Sequence, residues 1–376
     1  MACYWSAPMP VPAESTVPAE STVPAESPVP AESTVPGTRG ARPRLLHLGN
    51  VVVDVILDVP ALPERGGDVL ATRTELAAGG GFNVLAAAAR QGLIACYAGA
   101  HGTGPFGDLA RAALAAEGIE VLQDPRPDRD TGFVVTAVDA AGERTFLTSP
   151  GAEATLTDAD LAPVRPAGRD IVYLSGYGLA HPANAPVLAR WLTRLPGDTL
   201  PGDTQPGHTL TARALVAFDP GPLAASLPGD ELAAVLARTD WLTCNAREAA
   251  LLTGEADPVR AARVLADRLL AAGRGRRDRP RSPGVVVRTG PGGCVLAAPA
   301  GAPEVIPGFP VTPVDTNGAG DAHAGVFLAG LAAGLPPPTA ARRANAAAAL
   351  AVTRRGPATC PVGTEVTRFL ADRDRR

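Results

Sequence analysis

The sequence predicts an α/β fold, a doubly wound, mostly parallel sheet with helices on both faces and a small β-sheet lid. Three observations carry this reading. Short runs of Val, Ile and Leu recur along the chain without polar alternation, as strands covered on both faces require. Ala/Leu/Arg segments of helical character lie between many of them. Two β-rich stretches, at about 58–76 and 131–149, break the alternation and have no helix of their own.

Residues 1–43 come first, and 11–36 repeat V-P-A-E-S-T with a period of six. A proline in each unit blocks helix and sheet, so a disordered Pro-rich tail is expected. One domain, 44–376, follows; about 330 residues can bury a single large core. Strands are expected at 45–57, 95–100, 171–175, 215–219, 241–244 and 285–288. Helices are expected at 84–90, 109–117, 187–195, 231–238, 247–252, 259–272, 322–333 and 340–354. Asp139-Ala-Ala-Gly142 reads as the hairpin turn of the second β-rich stretch. Three Pro-Gly pentads over 195–210 read as an inserted surface loop, which costs little because closure entropy grows slowly with length. The arginine-rich run 273–283 reads as a solvated loop.

Composition narrows the chemistry. The chain has no lysine, so all 34 basic residues are arginine. That excludes a Walker-A phosphate loop, a protein kinase and a lysine Schiff base. A net charge of −4 leaves no footprint for DNA, and 4% aromatics leave few stacking platforms, so no nucleic-acid partner is expected. The longest uncharged apolar stretch, 322–335, is too short to span a bilayer. Five scattered cysteines form no C-x-x-C pair, and residues 1–10 carry no basic residue ahead of an apolar run. A reducing cytoplasm is the simplest setting.

The sharpest local signal is Asp315-Thr-Asn-Gly-Ala-Gly-Asp321, a glycine-bearing loop entering an apolar helix. The N–H groups of Gly318, Ala319, Gly320 and Asp321 would be first-turn donors aimed at one spot, where the helix dipole favours an anion. Asp321 would repel a phosphate as a mere cap but suits a base that accepts a proton from an attacking hydroxyl. Spacing alone leaves this open against an Asp-capped helix start.

This motif resembles the D-T-x-G-A-G-D signature of the ribokinase-like carbohydrate kinases. Gly79-Gly-Gly-Phe-Asn83 resembles their N-terminal G-G-x-x-N sugar signature, Asn245-Ala-Arg-Glu248 their N-x-x-E motif, and Gly49-Asn-Val-Val-Val-Asp54 their first strand. The four stand in the family's order. The resemblance implies a ribokinase-like fold and an ATP-dependent transfer of the γ-phosphoryl group to a carbohydrate hydroxyl. Asp321 is then the base, and Gly318, Ala319 and Gly320 are the anion hole. Asp54 and Asn83 bind sugar hydroxyls, and Gly79, Gly80 and Gly81 let the backbone approach. Asn245 and Glu248 order Mg²⁺ through water; as residues alone they also read as a helix capping box. Arg288, Thr289 and Gly290 lie at a nucleotide-binding strand end, and Asn345 on the helix lining the adenine pocket.

Several family members also bind a monovalent cation such as K⁺. The matching places are Asp315, Asn317, Ala351, Arg354, Gly356 and Cys360, with a thiol at the last where some members have serine. Gly102-Thr-Gly-Pro-Phe-Gly107 imitates a dinucleotide loop, but it lies outside the first βα unit, and Pro105 removes a donor; a structural turn is expected. Ser175-Gly-Tyr-Gly178 lacks the earlier glycine of a nucleophile elbow. The partners expected are a small sugar and ATP, with a homodimer through the lid edges. The rivals are a nucleoside kinase of the same fold, a non-catalytic sugar- or nucleotide-binding regulator and, through the Gly102 loop, a hydride-transfer enzyme. Phe82 stands where the family often has a small residue and Gly80 where ribose-specific members commonly have a lysine, so ribose is not implied as the sugar.

Overall fold

The computed structural model describes residues 42–195, 213–273 and 282–375. The repeat tail, apart from its last two residues, lies outside the described residues. So do nearly all of the inserted 195–210 loop and most of the 273–283 run.

The strands, in chain order, are β1 (Arg44–His47), β2 (Val51–Asp58), β3 (Arg73–Gly80), β4 (Ile94–Tyr97), β5 (Glu120–Val121), β6 (Phe133–Val138), β7 (Arg144–Ser149), β8 (Ile171–Ser175), β9 (Leu215–Asp219), β10 (Trp241–Asn245), β11 (Gly284–Arg288), β12 (Gly293–Ala297) and β13 (Glu304–Pro307). The large sheet has the order β13-β12-β11-β10-β9-β8-β1-β4-β5. Its pairs are parallel from β11 through to β5, and antiparallel only where β12 and β13 join. Alternate residues of each strand feed two separate cores. Leu45, Ile171, Tyr173 and Val286 face one, and Leu46, Val172, Leu174 and Val287 face the other. A sheet buried on both faces explains the unbroken apolar runs.

The small sheet has the order β3-β2-β6-β7, with β2 and β6 parallel and both outer pairs antiparallel. The expected single strand 45–57 is therefore two, shared between the sheets. Gly49 makes the break: its N–H donates to His47 Nδ1 at 3.0 Å, and a Cβ there would stand 2.3 Å from the His47 ring. The first β-rich stretch is shifted too. Residues 59–72, with Pro60, Pro63, Gly66 and Gly67, form no strand, and β3 begins only at Arg73. The second stretch is the hairpin β6–β7, closed by Asp139 and by Gly142 at φ 81°.

Candidate active site

The order of the large sheet reverses at β1, between β8 and β4, and the carboxyl ends of the parallel strands open there toward the small sheet. This is where open α/β sheets bind ligands. β2 carries Asp54, and β3 ends in Gly79 and Gly80 and runs straight into the helix Gly81–Arg90, which carries Asn83. Asp54 is buried, and its carboxylate lies over Gly79, where a Cβ would come within 2.3 Å of Oδ2. Gly80 turns the chain at φ 59°, and Gly81 N–H donates to the Asn50 carbonyl at 2.7 Å. Asn83 Nδ2 then donates to Asp321 Oδ2 at 3.0 Å, joining the two ends of the chain.

Both carboxyls are held above their ordinary range. Burial lifts Asp321 to about 6; the Asn83 bond and Arg288 pull it down, while Asp219 and Glu248 push it up. Burial lifts Asp54 to about 7, and the Asp321 charge adds to this. A group that titrates near neutrality takes up and releases a proton readily at working pH.

Beyond them lies the 315–321 loop. Gly318 begins the helix Ala319–Ala332 in the left-handed region at φ 72°, and no side chain among the described residues caps that end. A Cβ on Gly318 would stand 1.9 Å from the Pro357 carbonyl, so only glycine fits. Arg288 rests against Gly320, with Nε 3.5 Å from where that residue's Cβ would be. Arg288 Nη1 donates to Asp219 Oδ2 at 2.9 Å and Thr243 Oγ1 at 3.2 Å, and Nη2 lies 3.7 Å from Glu248 Oε2. Burial opposes its charge, but Asp219 and Glu248 outweigh it. Thr289 and Gly290 form the turn just past Arg288.

Asn245 and Glu248 do form a capping box: Asn245 N–H donates to Glu248 Oε2 at 2.8 Å, and Glu248 N–H to Asn245 Oδ1 at 2.9 Å. Glu248 is buried, and burial followed by Asp219 raises its pKa. Among the described residues no three acidic, histidine or cysteine side chains converge as a metal cage. Glu248 and Asp219 beside Arg288 suit a Mg²⁺ that keeps its water and rests mainly on phosphate oxygens.

Two of the expected residues are engaged elsewhere. Asn345 is buried; its amide donates to the carbonyls of Ile306 and Pro307 at 3.0 and 3.1 Å, and its Oδ1 meets His323 Nε2 at 3.1 Å. Those bonds engage both amide hydrogens and one lone pair of the oxygen. Asp315 accepts from Asn317 N–H at 2.8 Å, from Gly356 N–H at 3.1 Å and from Arg144 of the small sheet. At the Gly102 loop, the carboxylate of Asp130 accepts from Phe106 and Gly107 N–H at 3.1 and 2.7 Å, filling the helix start where a phosphate would sit. Asp219 and Thr243 escaped sequence reasoning. The available signal was an apolar strand ending in an acid ahead of Pro220-Gly-Pro222.

The pfkB family carbohydrate kinase model matches residues 42–364. An uncharacterized sugar kinase of Escherichia coli, YegV, is 31% identical over 326 residues, which is 86% of this chain and 93% of that one. An ATP-dependent ribose-1-phosphate kinase of Halopiger xanaduensis is 31% identical over 335 residues, 88% of this chain and 99% of its own. A crystal structure of a putative ribokinase II from E. coli with ATP and Mg²⁺ superposes with a TM-score of 0.68 at 21% identity, over 88% of this chain and 99% of that one. The fold is thus ribokinase-like. With the match running from the first strand into the last helix, the chain is a member of the pfkB family of carbohydrate kinases.

Proposed function

We propose that this sugar kinase transfers the γ-phosphoryl group of ATP to a hydroxyl of a small carbohydrate, with Asp321 as general base. The observation that carries the proposal is the Asn83–Asp321 hydrogen bond at the entrance to the Gly318 turn. It sets the proton acceptor between the Asp54 side, where a sugar would lie, and the uncapped helix start, where a phosphoryl group would lie. Asp54 and Asn83 hold sugar hydroxyls, with Gly79–Gly81 beneath. Asp321 takes the proton as the hydroxyl attacks, and the Gly318, Ala319 and Gly320 amides with Arg288 receive charge on the phosphoryl oxygens. Bound Mg²⁺ would neutralise phosphate charge, with Glu248 and Asn245 ordering its water. Thr289 and Gly290 border the nucleotide, whereas Asn345 braces β13 against the late helices. The small sheet serves as the lid that excludes water, and its edges join two copies.

The experiment is a panel of sugars, sugar acids, sugar phosphates and nucleosides in a coupled ADP-release assay, run on the wild type and on Asp321→Asn. One carbohydrate should stand out, and the variant should fold and lose about 10²–10⁴ in kcat. Near-normal turnover by the variant removes Asp321 from the role. ATP and sugar binding without ADP formation would make the protein a regulator, and preference for a nucleoside would favour that rival.

A further inference from the structure

The corner that would hold a monovalent cation does not fit one in this chain. Both oxygens of Asp315 are occupied, Oδ1 by Arg144 and the Asn317 N–H and Oδ2 by the Gly356 N–H. The Ala351 carbonyl accepts from Thr359 Oγ1 at 3.1 Å. Cys360 is buried, and its Sγ faces the Pro361 carbonyl at 3.6 Å, a soft atom where a hard cation wants oxygen. Positive charge already crowds the place. Arg90 Nη1 donates to the carbonyls of Ala358 and Cys360 at 2.6 and 2.8 Å, and Arg354 pairs with Glu365 at 2.9 Å. A mobile cation would meet a carboxylate and a carbonyl already accepting hydrogen bonds, and three guanidinium groups nearby.

We propose that the guanidinium of Arg144 takes the place of that cation, so that the enzyme works without potassium. The inference rests on the kinase reading above. Arg144 is the first residue of β7, in the small sheet, and reaches across to Asp315 and to Thr316 Oγ1, the latter at 3.4 Å. Asp315 in turn ties the start of the anion loop to Gly356, three residues ahead of Gly318. The charge thus enters as a side chain of the lid, and ordering of the anion loop depends on the lid lying over the site. A free ion would impose no such dependence. Arg144 is a positioning residue: it acts on the phosphoryl group through the loop it holds.

The test compares potassium chloride with choline chloride at equal ionic strength, using the full chain. Wild-type activity and melting temperature should be the same in both salts. Arg144→Ala should fold and lose at least about tenfold in kcat, since it removes a fixed charge beside the anion hole. Low, non-denaturing guanidinium or potassium should restore part of the loss, and Arg144→Lys should keep more activity than alanine. Potassium stimulation of the wild type, a potassium-dependent rise in its melting temperature, unchanged kcat in Arg144→Ala, or an impaired variant that no cation restores would each overturn the proposal. If every sugar fails as a substrate, the kinase reading falls instead, and the melting comparison still decides the cation question.

Discussion

Asp54 and Asp321 show how a single environment sets two roles. Asp54 is buried and Asp321 half-buried at the mouth of the sheet, and the two repel, yet among the described residues only Asp321 receives a donor, from Asn83. Because Asp321 must be ionised to accept a proton, kcat/KM should fall about tenfold per pH unit below about 6. A profile flat down to pH 4 would refute this. The stability consequence has the opposite sign. A folded pKa of about 7 for Asp54, against an ordinary 3.8, means that the folded state holds the proton more tightly. That contribution is complete below the ordinary value and is lost as pH rises to about 7. Asp54→Asn should therefore raise the melting temperature over the wild type more at pH 8 than at pH 4, while raising KM for the sugar. An equal gap at both pH values would show that Asp54 is not held protonated. Asp321 and Asp54 were legible as residues from their motifs. Their coupling was not, since it depends on burial that no local pattern records.

At the scale of elements, the helix start at Gly318 is the most constrained. Gly318→Ala places a methyl 1.9 Å from the Pro357 carbonyl in a left-handed backbone, whereas Gly320→Ala meets Arg288 at an ordinary 3.5 Å. The first should lower the melting temperature and cost at least about 10² in kcat, and the second should leave the melting temperature near the wild-type value. Equal melting temperatures for both would contradict the geometry. The strands at Ile171–Ser175 and Leu215–Asp219 lie where their apolar runs put them, because a strand covered on both faces needs an unbroken apolar run. The continuous run at 45–57 misled because β1 and β2 share apolar composition while belonging to different sheets; the break is made where the Gly49 N–H turns to the His47 ring. β12, β13 and the helix Gly363–Asp374 were not anticipated. Glycine and proline flank the two strands, and the helix carries Arg368, Asp372, Arg373 and Asp374 among few apolar residues.

On the scale of the whole molecule, the small sheet leaves β3 and β7 as open edges. Leu76 on β3 is 51% exposed, and Phe146 and Leu147 on β7 are 56% and 63% exposed, more apolar surface than an edge facing water carries. Sedimentation velocity should find a dimer, and Phe146→Asp with Leu147→Asp should shift it toward the monomer. A wild type monomeric at all accessible concentrations would remove the lid as the interface. No helix among the described residues is long and apolar enough to cross a membrane.

The order of amino acids settled the local matters: where glycine must turn the chain, which runs are apolar on both sides, and which carboxylates accompany a phosphate-sized loop. These depend on a few neighbouring residues and their steric limits. Assembly in three dimensions settled the rest. It brought Asn83 to Asp321, set Asp219 and Glu248 against Arg288, spent Asn345 on β13 and carried Arg144 to Asp315. Such pairings join distant parts of the chain, and they gain strength from the partial shielding that arises only when the sheets and helices close around them.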